Sequence, residues 1–162
     1  LHSVDIMNKT GTIKTVTQED IDFSYRFSSI AADEFVVLAR FELQEELPEI
    51  IQAKRSKASQ GRKTNQPLKF RSAGSVFKNP PKFAAGYLID QTGLKGTKVG
   101  DAEISQHHAN FFVNHGKAKS SDITALIRLA RKSVFDKFEI KLELEVKTIG
   151  FNAQELDSDN AS

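Results

Sequence analysis

A hydroxyl, a carboxyl and a guanidinium stand out in this sequence as groups able to move a proton or hold developing charge. Ser75 lies in Ser72-Ala73-Gly74-Ser75-Val76-Phe77, between a glycine and apolar residues. That context is not the G-x-S-x-G of a nucleophile elbow, and by composition Ser75 reads as a turn hydroxyl. Glu145 lies in Ile140-Lys141-Leu142-Glu143-Leu144-Glu145-Val146. The alternation turns Glu143 and Glu145 away from Leu142, Leu144 and Val146, and such a face is ordinarily solvated. Arg26 is a single cation among the aromatics of Asp22-Phe23-Ser24-Tyr25-Arg26-Phe27-Ser28, suited either to cation–π packing or to clamping an anion. His107 and His108 are adjacent and would point to opposite faces of a strand. Without a third ligand at metal spacing they read as solvated or hydrogen-bonded histidines, and no metal site is expected. Gly93, Gly96 and Gly100 form neither G-x-G-x-x-G nor a phosphate loop, and read as turn glycines.

The elements that must carry these groups follow from periodicity. Val4 and Ile6, the turn residues Asn8-Lys9-Thr10-Gly11, then Ile13 and Val16 predict a β-hairpin. Glu34–Leu43 is β-branched and aromatic, which predicts a strand with at least one buried face. Pro48 opens a helix with Leu47, Ile50, Ile51 and Ala58 down one side. Gly61–Pro67 is polar and aperiodic, and a domain boundary is placed there. Beyond Pro80-Pro81, Ala84, Tyr87, Leu88 and Gln91 share a helical face closed by Gly93 and Leu94. Gly96 and Gly100 leave room only for short strands, and Ala109–Asn114 reads as another strand. Ser120 or Ser121 caps a helix with Ile123, Leu126, Ile127, Ala130, Val134 and Phe135 at the 3.6 period. Ile140–Val146 reads as a last strand. The fold class is α+β, in two unequal parts.

Composition narrows the function. With no cysteine in 162 residues, disulfides, thiolate zinc, iron–sulfur clusters and a cysteine nucleophile are excluded. A reducing compartment fits that usage. The longest apolar run, Phe35–Ala39, falls far short of the ~20 residues that span a bilayer. Net charge is only +2, less lopsided than a dedicated nucleic-acid binder. Locally the balance differs, since Lys54–Arg71 holds seven cations and no Asp or Glu. That run is a solvated helix end and linker, or else a device that attracts a polyanion or a diphosphate. Asn152–Ser162 is small, polar and acidic, and residues 151–162 are expected to form a disordered tail.

Several blocks change the weight of these residues when taken together. Gln66-Pro67-Leu68, SAGSVFKNPP (72–81), AAGYLIDQTGLKGTKVGDAEIS (84–105), HANFFVN (108–114) and LELEVKTIG (142–150) follow one another, with Tyr25-Arg26-Phe27-Ser28 upstream. From about Ser3 to Gly150 the chain closely resembles the UDP-N-acetylenolpyruvoylglucosamine reductase (UDP-N-acetylmuramate dehydrogenase, MurB) family, whose Tyr-Arg-x-Ser element matches the upstream tetrapeptide. The resemblance implies a cytoplasmic oxidoreductase of peptidoglycan precursor synthesis. In that family NADPH reduces a bound FAD, and the reduced flavin reduces the enolpyruvyl ether of UDP-N-acetylglucosamine enolpyruvate to a lactyl ether.

The same resemblance assigns residues. Ser75 matches the proton donor, Glu145 the second catalytic acid and Arg26 the catalytic arginine. Tyr25, Lys78 and Asn79 fall where the family contacts substrate, and Lys63 is a candidate for a substrate-binding lysine that some members carry near Asn65. The types suit the reaction. Hydride addition to the enol carbon leaves an aci-carboxylate, more charged than the ground state, so donors aimed at it act mainly in the transition state. A guanidinium can clamp it bidentately, a carboxyl beside it must be protonated or paired, and a serine can deliver the proton in a dry pocket. Only 49 positions separate Arg26 from Ser75, which resembles the subclass without an extra tyrosine-bearing loop.

The resemblance also implies an organisation. Residues 1–62 would be the C-terminal part of an FAD-binding domain and 63–150 the substrate-binding domain. The flavin-holding elements belong to the family's N-terminal half, which this chain is expected to lack, so the expected partners are that half and the UDP-sugar, with no nucleic acid and no membrane. Alone, the chain is expected to bind FAD poorly and not to turn over. The rival readings are a non-catalytic UDP-sugar-binding module and a small basic nucleic-acid-binding domain built on Lys54–Arg71.

Overall fold

The computed structural model describes residues 1–151 and Leu156, and it divides into two units, Leu1–Ala53 and Lys54–Ser162. The mixture of helices and antiparallel sheets agrees with the α+β expectation. The polar stretch expected to mark the boundary is helical as far as Asn65, because Lys, Arg, Gln and Ser are acceptable helix formers and one glycine costs only about 1 kcal/mol.

The first unit is a three-stranded antiparallel sheet in the order β2-β1-β5, from β1 (Ser3–Met7), β2 (Ile13–Thr17) and β5 (Phe35–Arg40). The predicted hairpin is present. The Asn8 side chain closes it by accepting from the backbone N–H of Thr10 and Thr12, at 3.0 and 2.9 Å. Between β2 and β5, β3 (Phe23–Ser24) and β4 (Phe27–Ser28) form a two-strand ribbon turned at Tyr25 and Arg26. The core of this unit is small: Val4, Ile6 and Ile21, with Leu1, Val16 and Ile30 against them.

The expectation of a buried face on β5 is corrected. All six of its residues are exposed, Leu38 at 44% and Phe35 at 59% among them. The strand forms because β-branched and aromatic residues fit a pleated ladder, yet nothing in this unit is layered over it. Helix α1 (Pro48–Asn65) starts at the proline as predicted, but buries no residue, and Leu47, Ile50 and Ile51 stay exposed.

The second unit holds a four-stranded antiparallel sheet, β6-β9-β8-β7, from β6 (Arg71–Ser75), β7 (Lys98–Val99), β8 (Ala102–Ile104) and β9 (Phe111–Asn114). Helices α2 (Ala85–Gln91) and α3 (Ser120–Phe138) join the sheet around one core containing Phe77, Leu88, Ile89, Ile104, Phe112, Leu126, Ile127 and Val134. Truncating a large side chain here, such as Leu126, costs roughly 2–5 kcal/mol.

Several expectations are corrected in this unit. The buried face of α2 is Ala85, Leu88 and Ile89, so Ala84, Tyr87 and Gln91 face solvent. Phe135 is exposed because it lies about 100° around α3 from Val134. Neither Ser120 nor Ser121 caps α3; Lys119 is the N-cap residue, and its backbone N–H donates to Asp122 Oδ2 at 2.8 Å. Strand β9 begins only at Phe111, whose N–H turns back to His108 O at 2.9 Å. The expected strand Ile140–Val146 is an extended segment with one bridge, Phe77↔Leu144, because its partner beyond β6 is only a few residues long. The expected tail, apart from Phe151 and Leu156, lies outside the described residues. Leu156 is buried and its carbonyl accepts from Arg131 Nη1 at 2.7 Å.

A charge pair ties the first sheet together. Arg40 on β5 donates in a bidentate manner to Asp5 on β1, at 2.8 and 2.9 Å, while Thr15 on β2 donates to the same carboxylate at 2.7 Å. These bonds lower the Asp5 pKa from 3.8 to about 2. A depressed carboxylate pKa stabilises the folded form above the unfolded value and loses that contribution as pH falls through the folded one. Acid titration of the folded chain is expected to weaken the first unit between pH 3.8 and about 2. Asp5→Asn should flatten that part of the profile, and an unchanged acid limb would show that the pair is not responsible.

Candidate functional site

Ser75 ends β6, and its direction is set by a bulge. The register runs Ser72↔Val113 and then Ser75↔Phe111, so β6 spends one residue more than β9 between those pairs. Gly74, at φ 86°, supplies the left-handed backbone that the bulge requires. Bulges re-aim the next side chain and end regular pairing, and both happen here.

Past Ser75 the chain is held by Asn110 rather than by a ladder. Asn110 is 3% exposed, and its Oδ1 accepts from Phe77 N at 2.9 Å while its Nδ2 donates to Phe77 O at 2.8 Å. Its backbone carbonyl accepts from Val76 N at 2.8 Å. Val76 O in turn accepts from Glu145 N at 2.8 Å, and Lys78 N donates to Glu143 O at 2.9 Å. Ser75 and Glu145, both half-buried, are therefore carried on segments that these backbone hydrogen bonds join.

Lys78 and Asn79 lie on this same segment. The Lys78 ammonium is paired with the Glu143 carboxylate. Asn79 Oδ1 accepts from Ala85 N at 3.0 Å and so satisfies the first turn of α2, where Ala84 has no side-chain acceptor to offer. Tyr25 and Arg26 are in the first unit, on the β3–β4 turn. There the guanidinium stands 5.5 Å from the centre of the Tyr25 ring, and Arg26 takes a φ of 57°. A left-handed backbone costs a non-glycine residue about 1–2 kcal/mol, and such strain clusters at ligand clamps.

The structure thus carries Ser75, Lys78, Asn79 and Glu145 on joined segments of the second unit, while Tyr25 and Arg26 belong to the first. Chemically, the second unit presents a hydroxyl and a carboxyl group from neighbouring segments, each with a rigid backbone behind it. Two of its cavities, of about 740 and 500 Å³, are lined by none of Ser75, Asn79 and Glu145. Lys63 lines the larger one together with Gln66 and His107. Among the described residues no group of His, Asp or Glu is arranged to hold a metal ion, and no helix is long and apolar enough to cross a membrane.

Sequence reasoning missed Asn110 as a site-forming residue. The available signal was a polar side chain inside Ala109-Asn110-Phe111-Phe112, a run otherwise fit for burial. A buried amide must find partners, and here those partners are the backbone beside Ser75.

His108 supports Asn110 from below. Its Nδ1 accepts from Asn110 N at 3.2 Å, its ring meets Phe111 edge-on at 4.8 Å, and a Cβ on Gly86 would come within 3.0 Å of Cε1. Burial, with smaller contributions from Lys95 and His107, holds the His108 pKa below 6.5. The unfolded chain then takes up a proton that the folded form resists, so stability falls as pH drops below 6.5. Thermal melts from about pH 7 to about pH 5 should show that loss, and His108→Gln should reduce its slope. An equal slope in both proteins would assign the loss to another group.

Comparison with known proteins agrees with this geometry. Residues 66–149 match the model of the UDP-N-acetylenolpyruvoylglucosamine reductase C-terminal domain. The chain is 42% identical over 160 residues to the UDP-N-acetylenolpyruvoylglucosamine reductase of Shouchella clausii, covering 98% of this chain and 51% of that protein. It is 42% identical over 151 residues to the enzyme of the same name from Listeria monocytogenes, covering 93% and 51%. The crystal structure of UDP-N-acetylenolpyruvylglucosamine reductase (MurB) from Thermus caldophilus superposes with a TM-score of 0.78 at 38% identity, covering 91% of this chain and 53% of that one. The chain thus spans about half the length of the curated relatives it matches. With its Ser75-bearing bulge and Glu145 segment both inside the matched region, the chain belongs to the UDP-N-acetylenolpyruvoylglucosamine reductase family, as a match to its C-terminal part.

Proposed function

We propose that this chain is the C-terminal part of a cytoplasmic reductase that converts UDP-N-acetylglucosamine enolpyruvate to UDP-N-acetylmuramate for peptidoglycan synthesis. Residues 1–62 complete its FAD-binding domain and 63–150 form its substrate domain. The observation that supports the reading is the hydrogen bond from Glu145 N to Val76 O, which joins the Glu145 segment to the backbone next to Ser75.

The described residues of the first unit carry no pyrophosphate cradle of their own. No described residues of the first unit form a glycine-rich turn opening a helix, the feature that cradles a pyrophosphate. Its exposed β5 face, together with Phe41, Leu43 and Leu47, is instead a surface for the half of the relatives' length that this chain does not span. FAD held by that half and reduced by NADPH would supply the hydride.

The remaining chemistry falls to this chain. Ser75 gives a proton to the carbon beside the substrate carboxylate. Arg26 and the Glu145 carboxyl group stabilise the extra negative charge that forms there, and this stabilisation is largest in the transition state. Tyr25, Lys78 and Asn79 orient the substrate, with the Lys78 ammonium exchanging its Glu143 partner for an anionic group.

In the protein carrying both halves, Ser75→Ala should leave flavin reduction by NADPH intact and slow enolpyruvyl reduction by about 10²–10⁴. A normal second half-reaction would remove Ser75 from its role. The isolated chain should show no stoichiometric yellow complex with FAD, and should bind a hydrophobic dye that the separately made N-terminal half displaces. A tight flavin complex of this chain alone would overturn the division of labour.

A further inference from the structure

We propose that Asn110 is a positioning residue, whose buried amide fixes the backbone of Val76 and Phe77 and so keeps Ser75 and Glu145 in a fixed relation. The inference rests on the roles proposed above for Ser75 and Glu145, and goes beyond them by naming what holds the two together.

The argument begins where β6 ends. After the bulge, residues 76 and 77 have no regular strand partner on the β9 side, since β9 starts at Phe111 opposite Ser75. An asparagine amide carries one acceptor and one donor about as far apart as the C=O and N–H of a strand residue. Asn110 uses them as a strand would, on Phe77 N and Phe77 O, while its own carbonyl takes Val76 N. The carbonyl of Val76 is then left to receive Glu145 N, and Val146 N approaches the same oxygen at 3.4 Å. Four segments are thereby coupled: the Ser75 turn, the Asn110 turn, the Glu145 segment and, through the Cβ of Asn110 packed near Gly86, helix α2.

The chemistry selects this residue type. Aspartate would set an oxygen against Phe77 O, leucine would leave both backbone groups unmet, and glutamine would carry the amide one methylene too far. Asn110 lies behind the backbone and is not assigned contact with substrate, so its effect on turnover passes through Ser75 and Glu145.

The test uses the protein carrying both halves and follows the two half-reactions separately. Asn110→Asp should keep flavin reduction by NADPH within about twofold, and lower kcat of enolpyruvyl reduction by about 10–100-fold with KM little changed, as expected for a displacement of about 1 Å. Ile127→Val, a core variant that loses stability without touching the clamp, should keep kcat. The inference is overturned if Asn110→Asp reacts at the unsubstituted rate, or if Ile127→Val loses as much kcat. Ser75→Ala separates the two layers. If it retains enolpyruvyl reduction, the reading of Ser75 fails and the assignment to Asn110 with it; if it loses that reaction while Asn110→Asp does not, only the present inference fails. Should Asn110→Asp not fold, amide exchange of the unsubstituted protein decides: Val76, Phe77 and Glu145 should exchange as slowly as Phe112, and loop-like rates would overturn the clamp.

Discussion

A buried side-chain amide must be fully hydrogen-bonded or it destabilises the protein, and in the second unit that requirement organises the site. Leaving the N–H and C=O of Phe77 without partners would cost about 1–3 kcal/mol for each group. Asn110 meets both, and the surrounding core makes the solution unique. Phe77 is wholly buried and its ring stands edge-on to Phe112 at 6.1 Å, so the backbone of residue 77 cannot drift without opening the core. The bulge at Gly74 then has a definite consequence. Ser75 becomes the last paired residue of β6, and Asn110 takes over the pairing directly after it.

The first unit is governed by the opposite condition. Its sheet is tied by the Asp5–Arg40 pair and a small core, while a row of apolar residues on β5 and beyond stays exposed. Such a surface has a cost in water, and in a chain spanning about half the length of its relatives it is what an intradomain contact would leave behind. The strained backbone at Arg26 belongs to the same picture. Glycine adopts the left-handed region there without penalty and asparagine at reduced cost, so an arginine at φ 57° gives up backbone stability.

Much of the secondary structure was legible because its causes are local. The Asn8–Gly11 turn, the helix opening at Pro48 and the apolar stripe of α3 from Ile123 to Val134 all follow from side-chain period and turn chemistry. The misreadings share another cause. Tyr87 and Phe135 were placed on apolar helical faces by period, yet a helix shows the core only the stripe that its neighbours reach. The Ile140–Val146 alternation was real, with Leu142 buried, but a strand also needs a partner ladder, and only Phe77 supplies one.

The site divides along the same line. From the sequence alone came the candidate groups themselves, Arg26, Ser75 and Glu145, through block motifs that survive in linear order, together with the fold class and the family. The resemblance of those blocks to the family did this, whereas by composition alone Ser75 read as a turn hydroxyl and Glu145 as part of a solvated face. Tertiary structure alone decided that Val76 joins Ser75 to Glu145, that Lys78 is paired with Glu143, that Asn79 caps α2, and that Asn110 rather than a strand holds the turn. Those are contacts across 6 to 69 positions of sequence, and no local period encodes which distant backbone group a buried amide will find.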